Sequence, residues 1–135
     1  MPEVILRTET IGRFVSPEST FVEEMSQKSL EIDIVEWIAE RTSDDALRAQ
    51  CREVEFSSRK FSGVGSFTHL RTPSTVPSSS LERSDVDPVI KHRDLPFGGG
   101  CVLFLKDGRI DLLEIYVNGD DPYPDDIEDY QLSDR

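Results

Sequence analysis

The sequence is poor in the residues that build metal, redox and nucleophilic sites. Only two cysteines and two histidines occur among its 135 residues. Cys51 and Cys101 have neither a metal-ligand nor a redox spacing. His69 and His92 have no ligand-type neighbour at helical spacing. We therefore predict no metal site, no cofactor and no catalytic residue, and we interpret Cys101 as a small core residue in a strand.

Long apolar runs are also missing. No stretch approaches the roughly 18 consecutive apolar residues that a membrane helix needs. The amino-terminal residues lack a basic region followed by a long apolar run, which a secretory signal would show. We therefore expect a bacterial-type cytoplasmic protein with no membrane association, whose thiols stay reduced.

Basic side chains are outnumbered by acidic ones. There are 15 Lys and Arg residues against 27 Asp and Glu residues, so the formal net charge is −12. A field of that sign repels phosphate backbones and anionic lipids, which argues against nucleic acid as a ligand. Two interpretations stay open: the charge steers the protein toward a basic protein partner, or it only keeps the protein in solution.

Residues 1–135 are expected to form one α+β domain. The 36% of hydrophobic residues suffices for one packed core. A capping serine and a proline at 16–17 are followed by apolar residues at helical intervals, which predicts a helix over 17–41. Ser43-Asp44-Asp45 begins a second, short helix. Residues 1–16 have no clear period and are either an extended edge segment or a loose arm.

The hydrophobic period changes to two after the second helix. Alternating Val and Phe residues predict strands at about 53–61 and 65–71. Gly63 and Gly65 lie between them, where positive φ or close backbone approach is accommodated. The turn-rich residues that follow predict a mobile surface loop over 72–84.

The segment that leads into the last strands has no regular pattern. Residues 85–97 contain two prolines and are expected to be mostly irregular. Gly98-Gly99-Gly100 precedes a strand, whereas a phosphate-binding loop follows a strand and opens a helix. The context therefore argues against nucleotide binding.

A β-hairpin over residues 100–117 is the firmest prediction. Asp107-Gly108 is a pair preferred at the centre of a type I′ turn, since both central residues need positive φ. With a two-residue loop, the predicted pairs are Leu105 with Ile110, Leu103 with Leu112, and Cys101 with Glu114. The fold is thus expected to be N-terminal helices packed on an antiparallel sheet of about four strands, ending in this C-terminal hairpin. The four strands are 53–61, 65–71, 101–106 and 109–117.

Glu114 and the acidic segment after the hairpin are the candidate interaction residues. Glu114 is the one charged residue on its predicted face, so it is either a desolvated general acid or base, or a carboxylate paired with a loop or a basic side chain. The acidic segment does not match a calcium-loop spacing. We interpret residues 120–135 as a solvated acidic tail or as an acidic surface for a basic partner. The candidates are Glu114, Asp120, Asp121, Tyr123, Asp125, Asp126, Glu128 and Asp129.

Two segments of the chain resemble a group of small uncharacterised bacterial proteins. The segments are RKFSGVGSF at 59–67, and LFLKDGRIDLLEIY at 103–116 followed by GDDPYP at 119–124. In that group a glycine-containing turn precedes a final hairpin of the form L-F-x-x-D-G-x-I-x-x-L-E-x-Y. The chain departs from the pattern at Ser62, Ser66 and Tyr123. The resemblance implies a compact α+β domain without an assigned activity, and some relatives look like immunity proteins of bacterial toxin systems.

The leading functional hypothesis is a non-enzymatic bacterial protein-binding domain, of the type of an immunity protein that inhibits a toxin. One alternative is an enzyme of unrecognised type that uses Glu114 as acid or base, for which a pocket holding Glu114 and a second titratable group would be the sign. Another is a small-ligand-binding module, for which the sign would be a deep apolar pocket beside Trp37 or Tyr116.

Overall fold

The computed structural model describes residues 21–119 and 129–134, with side chains from Leu30 onward. The helices are α1 Phe21–Arg41 and α2 Asp45–Glu53, and the strands are β1 Glu55–Phe61, β2 Gly65–Arg71, β3 Val89–His92, β4 Leu95–Lys106, β5 Arg109–Val117 and β6 Gln131–Ser133. The α+β class is confirmed. Residues 1–20, which include the predicted arm and the cap of the first helix, lie outside the described residues.

The strands of the described chain form one antiparallel sheet of six rather than about four, in the order β1-β2-β5-β4-β3-β6. The additional strands, β3 and β6, lie together at one edge. β3 falls in the segment predicted to be irregular, where Pro88 directly precedes it and Pro96 lies near the start of β4. Proline lacks the N–H donor of a strand residue, so the sequence pattern indicated no strand there.

The last strand corrects the description of residues 120–135 as one acidic tail. Gln131–Ser133 pair with β3, so that Ile90 lies opposite Leu132. Three residues with a single large apolar side chain are too short for a period of two to be recognised. β6 can therefore be recognised as a strand only from its pairing with β3.

The two helices cover one face of the sheet. Leu30, Ile34 and Ile38 recur at every fourth residue, which places them on one side of α1, and all three are fully buried. The predicted start of α2 at Ser43-Asp44-Asp45 is confirmed, and the cap is Asp44, whose side chain accepts a hydrogen bond from the backbone N–H of Leu47 at 2.7 Å. The sheet residues that join the same core include Ile90, Cys101, Leu103, Leu113 and Ile115.

The hairpin turn is confirmed, but its predicted register holds only near the turn. Asp107 and Gly108 have φ of 53° and 83°, and Leu105 pairs with Ile110 as expected. Beyond that pair, Phe104 of β4 pairs with Leu112 of β5. Asp111 therefore lies in a β-bulge and has no pairing partner on β4. The predicted pairs of Leu103 with Leu112 and of Cys101 with Glu114 are therefore wrong.

The bulge decides which side chains of β5 face the helices. Leu103 pairs with Leu113 and Cys101 with Ile115, and all four are buried. A one-residue shift of register exchanges the two faces of a strand. Without the bulge, Leu113 and Ile115 would leave the core and Glu114 would enter it. The shifted register is favoured because it buries two large apolar side chains and keeps one carboxylate out of the core.

Gly63, between β1 and β2, and Gly65, the first residue of β2, fill the roles expected of them. Gly63 has a φ of +89°, in the left-handed region that favours glycine. A Cβ on Gly65 would clash with the backbone oxygen of Ile115, on the neighbouring strand. Gly65 therefore permits the close approach of β2 and β5.

Hydrogen bonds hold the loop after β2 against the tip of the hairpin. The fully buried Gln50 of α2 donates to the backbone oxygens of Pro77, at 2.9 Å, and Gly108, at 2.8 Å. Its own side-chain oxygen accepts from the N–H of Ile110 at 2.8 Å. The N–H of Ser79 donates to the Gly108 oxygen at 2.9 Å. One amide side chain thus joins α2, the hairpin and the segment predicted to be a mobile loop.

A buried ion pair fastens α1 to the first two strands. Arg59 of β1 donates from Nε to Glu31 Oε2 at 3.0 Å and from Nη2 to Oε1 at 2.7 Å. The two side chains are only 4% and 0% exposed, so this is a desolvated bidentate pair. The Thr68 hydroxyl of β2 also donates to Glu31 Oε2. The carboxylate of α1 therefore receives donors from two different strands.

Removing one member of this pair should destabilise the protein strongly. Arg59→Met should lower the free energy of unfolding by about 3–5 kcal/mol, because the Glu31 carboxylate would be left buried without its counter-charge. The triple variant Glu31→Leu/Arg59→Met/Thr68→Val should recover most of the loss, since no charge then needs a partner. Urea denaturation measures the free energy of unfolding of both variants. Equal losses in the two variants would contradict the role given to the unpaired charge.

Asp85 accepts hydrogen bonds from the junction between the two helices. Its carboxylate accepts from the Thr42 hydroxyl at 2.5 Å, and from the N–H and hydroxyl of Ser43 at 3.1 and 2.9 Å. Partial burial raises the pKa of Asp85, but the hydrogen bonds from Thr42 and Ser43 outweigh it and hold the pKa below the usual range. The loop before β3 thus supplies an acceptor for the end of α1.

The Asp85 contribution should be lost in acid. Because its pKa is lower in the folded than in the unfolded protein, its stabilisation is present above the unfolded pKa of about 3.9 and disappears as the pH falls through the folded pKa. Asp85→Asn should thus be less stable than wild type near neutral pH, and the difference should shrink below about pH 4. Thermal unfolding across this range measures the difference. The control is Asp107→Asn, at an exposed position of the hairpin turn. The same narrowing in this control would argue against a specific role of Asp85.

Candidate functional site

Glu114 lies on the sheet face opposite the helices. It pairs with Phe67 of β2 and Val102 of β4, and it is half-buried. The expectation of a carboxylate on the apolar face that contains Leu103 and Leu105 is wrong, because the bulge at Asp111 turns it to the other face. Glu114 lines neither of the two grooves described below.

The acidic run reaches the described structure only at its end. Asp120, Asp121, Tyr123, Asp125, Asp126 and Glu128 lie outside the described residues. Asp129 is exposed and has a φ of 56°. The next residue, Tyr130, packs against the core and leads into β6. Asp129 therefore precedes a residue that contacts the helix side of the sheet, whereas Glu114 is on the other side, so the structure does not bring Asp129 and Glu114 together.

Tyr130 attaches the end of the acidic run to α1. Its hydroxyl donates a hydrogen bond to Asp33 Oδ2. Asp33 is followed by Glu36 and Glu40, at intervals of three and four residues, so the three carboxylates form one stripe on the exposed side of α1. The contact therefore connects the residue that directly follows the acidic run to the acidic stripe of α1.

An open groove runs between α1 and β6. It has a volume of about 280 Å³. The acidic stripe borders it, and Trp37, Tyr130 and Leu132 supply its apolar surface. This is smaller than the roughly 300–1,000 Å³ of pockets that enclose drug-sized ligands. The groove beside Trp37 is therefore not the deep apolar pocket that a small-ligand-binding module would show.

The groove already contains one cation, the guanidinium of Arg41. Its central carbon lies 4.2 Å from the centroid of the Trp37 ring, within the range of a cation–π contact. Arg41 Nη1 donates to the Trp37 backbone oxygen at 3.2 Å and lies 3.3 Å from Glu40 Oε1. The aromatic ring and the carboxylates thus form a surface suited to guanidinium or ammonium groups.

Cys51 borders a second groove, of about 370 Å³, between the two helices. Desolvation raises the pKa of this thiol to about 12, although the charge of Arg52 lowers it. The thiol is therefore protonated at neutral pH, which is unfavourable for a nucleophile. Cys101 is fully buried in β4, which confirms its interpretation as a core residue.

Within 21–119 and 129–134, no group of three or more His, Cys, Asp or Glu side chains is placed to hold a metal ion. In the same part of the chain, no helix is long and apolar enough to cross a membrane. Comparison with protein-family models, with curated proteins and with solved structures finds no match to the chain.

Sequence reasoning missed most of the groove. It named Trp37 only as a residue beside which a ligand pocket would lie, and the residue is buried, at 8% exposed. The acidic stripe of α1 is visible in the sequence as carboxylates at helical spacing. The contribution of Tyr130 and Leu132 carries no comparable signal, because the pairing of β6 with β3 brings them to α1.

The contact between Tyr130 and Asp33 should make stability fall at high pH. Burial raises the pKa of the Tyr130 phenol, and its hydrogen bond to Asp33 and the charge of Asp33 raise it further. Since the folded pKa exceeds the unfolded one, the stabilisation is present below about pH 10 and is lost as the pH rises through the folded pKa. Tyr130→Phe should cost about 0.5–1 kcal/mol at neutral pH. This difference should shrink in alkaline solution.

Urea unfolding at several pH values and phenolate absorbance measure these effects. The control Asp33→Asn removes the neighbouring charge, so the Tyr130 phenol should ionise at lower pH than in the wild type. Unchanged phenolate titration in Asp33→Asn would contradict the contact.

Proposed function

We propose that this chain is a non-enzymatic bacterial protein-binding domain that acts in the cytoplasm and binds a basic partner through an acidic surface. This acidic surface consists of the stripe Asp33, Glu36 and Glu40 on α1 together with the acidic run of residues 120–129. The observation that carries the proposal is the hydrogen bond from Tyr130 to Asp33, which brings the end of the run to the stripe. Joined charges of one sign produce a stronger local field than either segment alone.

The charge of the whole chain supports this proposal. The net charge of −12 creates a long-range field that attracts cationic surfaces. Such fields raise association rates by about 10- to 1,000-fold at low ionic strength. Acidic residues that serve only solubility need no particular arrangement. The stripe instead borders a groove with aromatic residues, and Trp, Tyr and Arg are enriched among the residues that dominate interface energies.

The resemblance of the β1–β2 turn and the hairpin to small bacterial proteins favours one type of partner. Some of those proteins look like immunity proteins, which bind and block a toxin domain. An acidic inhibitor that occupies a basic site on a toxin needs surface complementarity and no catalytic group. We therefore propose an immunity-type inhibitor as the specific form of the binding function.

Neutralising the acidic run should slow association with the partner. The partner is first isolated from lysate of the native cells with the purified chain and then reconstituted from purified components. Replacing the six carboxylates of 120–129 with Asn or Gln should lower the on-rate by about tenfold or more at low salt, with rates converging at high salt, where screening removes the field.

The control variant neutralises six carboxylates elsewhere, Asp45, Glu53, Glu55, Glu82, Asp94 and Asp107. It has the same net charge as the test variant but keeps the acidic run. Its on-rate should fall less than that of the test variant. Equal on-rates for wild type and the test variant at low salt would exclude the acidic run from the binding surface.

A further inference from the structure

We propose that the groove between α1 and β6 is an anchor site for an arginine side chain of the partner, which stacks on Trp37 in place of Arg41. This inference rests on the proposed binding function and adds the chemical identity of the group that is recognised. The groove combines an aromatic ring face with carboxylates along its border, the two features that hold a guanidinium group.

Arg41 indicates which cation the ring accepts. Its guanidinium carbon lies 4.2 Å from the ring centroid of Trp37, so the ring face is accessible to a planar cation in the folded protein. The Arg41 side chain is 41% exposed and its ion pair with Glu40 lies at the surface. The exposed ion pair contributes only about 0–1 kcal/mol. Displacement of Arg41 also breaks its hydrogen bond to the Trp37 backbone oxygen and its cation–π contact, and the partner arginine replaces the cation–π contact on the same ring.

The carboxylates of the groove favour arginine over lysine. Glu36 and Glu40 are exposed on α1 and border the groove together with Asp33. Tyr130 orients Asp33 by donating to its Oδ2. A guanidinium has five N–H donors in one plane, so it can stack on the ring and bond to carboxylates at its edge simultaneously. An ammonium group is a compact point charge that cannot satisfy both contacts with the same geometry.

The size of the groove fits one side chain. Its volume of about 280 Å³ lies below the usual range for an enclosed small-molecule ligand. A partner arginine in this open groove would lie against Trp37, Tyr130 and Leu132. Arginine, tryptophan and tyrosine are enriched among the hot-spot residues of protein interfaces.

Trp37 provides the measurement, because it is the only tryptophan of the chain. Tryptophan fluorescence of the full-length protein is titrated with acetylated and amidated hexa-arginine, and with the hexa-lysine peptide of the same charge. The arginine peptide should change the fluorescence saturably and bind about tenfold more tightly than the lysine peptide, equivalent to about 1.4 kcal/mol. Arg41→Ala should bind the arginine peptide several-fold more tightly, since the internal competitor is gone.

A matched pair of triple variants separates the groove from the general field. The groove variant Asp33→Asn/Glu36→Gln/Glu40→Gln should weaken hexa-arginine binding by about tenfold or more. The control variant Glu53→Gln/Glu55→Gln/Glu82→Gln changes the net charge equally and should retain most of the affinity. Equal weakening in both variants, equal affinity for the two peptides, or weaker binding by Arg41→Ala would each overturn the anchor site.

The purified partner distinguishes failure of this inference from failure of the proposed function. If partner binding depends on the acidic run but is unchanged in the groove variant, the anchor site is wrong, and the binding function stands with the run alone as its acidic surface. If neither set of carboxylates affects partner binding, both proposals fail. A slower off-rate for wild type than for the groove variant is the result expected of an anchor.

Discussion

The buried pair of Glu31 and Arg59 is the constraint on which the position of α1 depends. Both charges are desolvated, so a rotation or shift of α1 that separated them would leave a buried charge without compensation. Thr68 adds a donor from β2, which ties the helix to two strands. With Glu31 facing inward, the carboxylates of Asp33, Glu36 and Glu40 are left at the surface beside β6.

The opposite end of the domain is organised by hydrogen bonds around Gln50. This fully buried side chain satisfies backbone groups of the loop after β2, the hairpin turn and the start of β5. An unsatisfied amide in the core would cost about 1–3 kcal/mol per group. Because α2 follows α1 after a short junction held by Asp85, the polar contacts of both helices define how they cover the sheet.

The proposed function depends on the position of β6 relative to α1. β6 pairs with β3 and brings Tyr130 against α1. The groove, with its aromatic residues and carboxylates, therefore exists only because β6 joins the edge of the sheet beside α1. Glu114, the other candidate, lies on the opposite face, since the bulge at Asp111 excludes it from the core.

Several elements could be predicted from the local sequence: the helices, the cap of α2, the strands β1 and β2, and the Asp107-Gly108 turn. Helix and strand propensity, capping and the φ preferences of turn residues each depend on only a few neighbouring residues. The register beyond the turn was not predictable, since a bulge is chosen by which side chains the core accepts. β3 was missed because prolines flank it and because its strand character comes from pairing with β4 and β6, and β6 was missed because it is short and pairs only with β3 among the described strands. The sequence by itself determined the element types and the acidic charge. Tertiary structure alone decided that Tyr130 meets Asp33, because that contact depends on long-range pairing that no local pattern encodes.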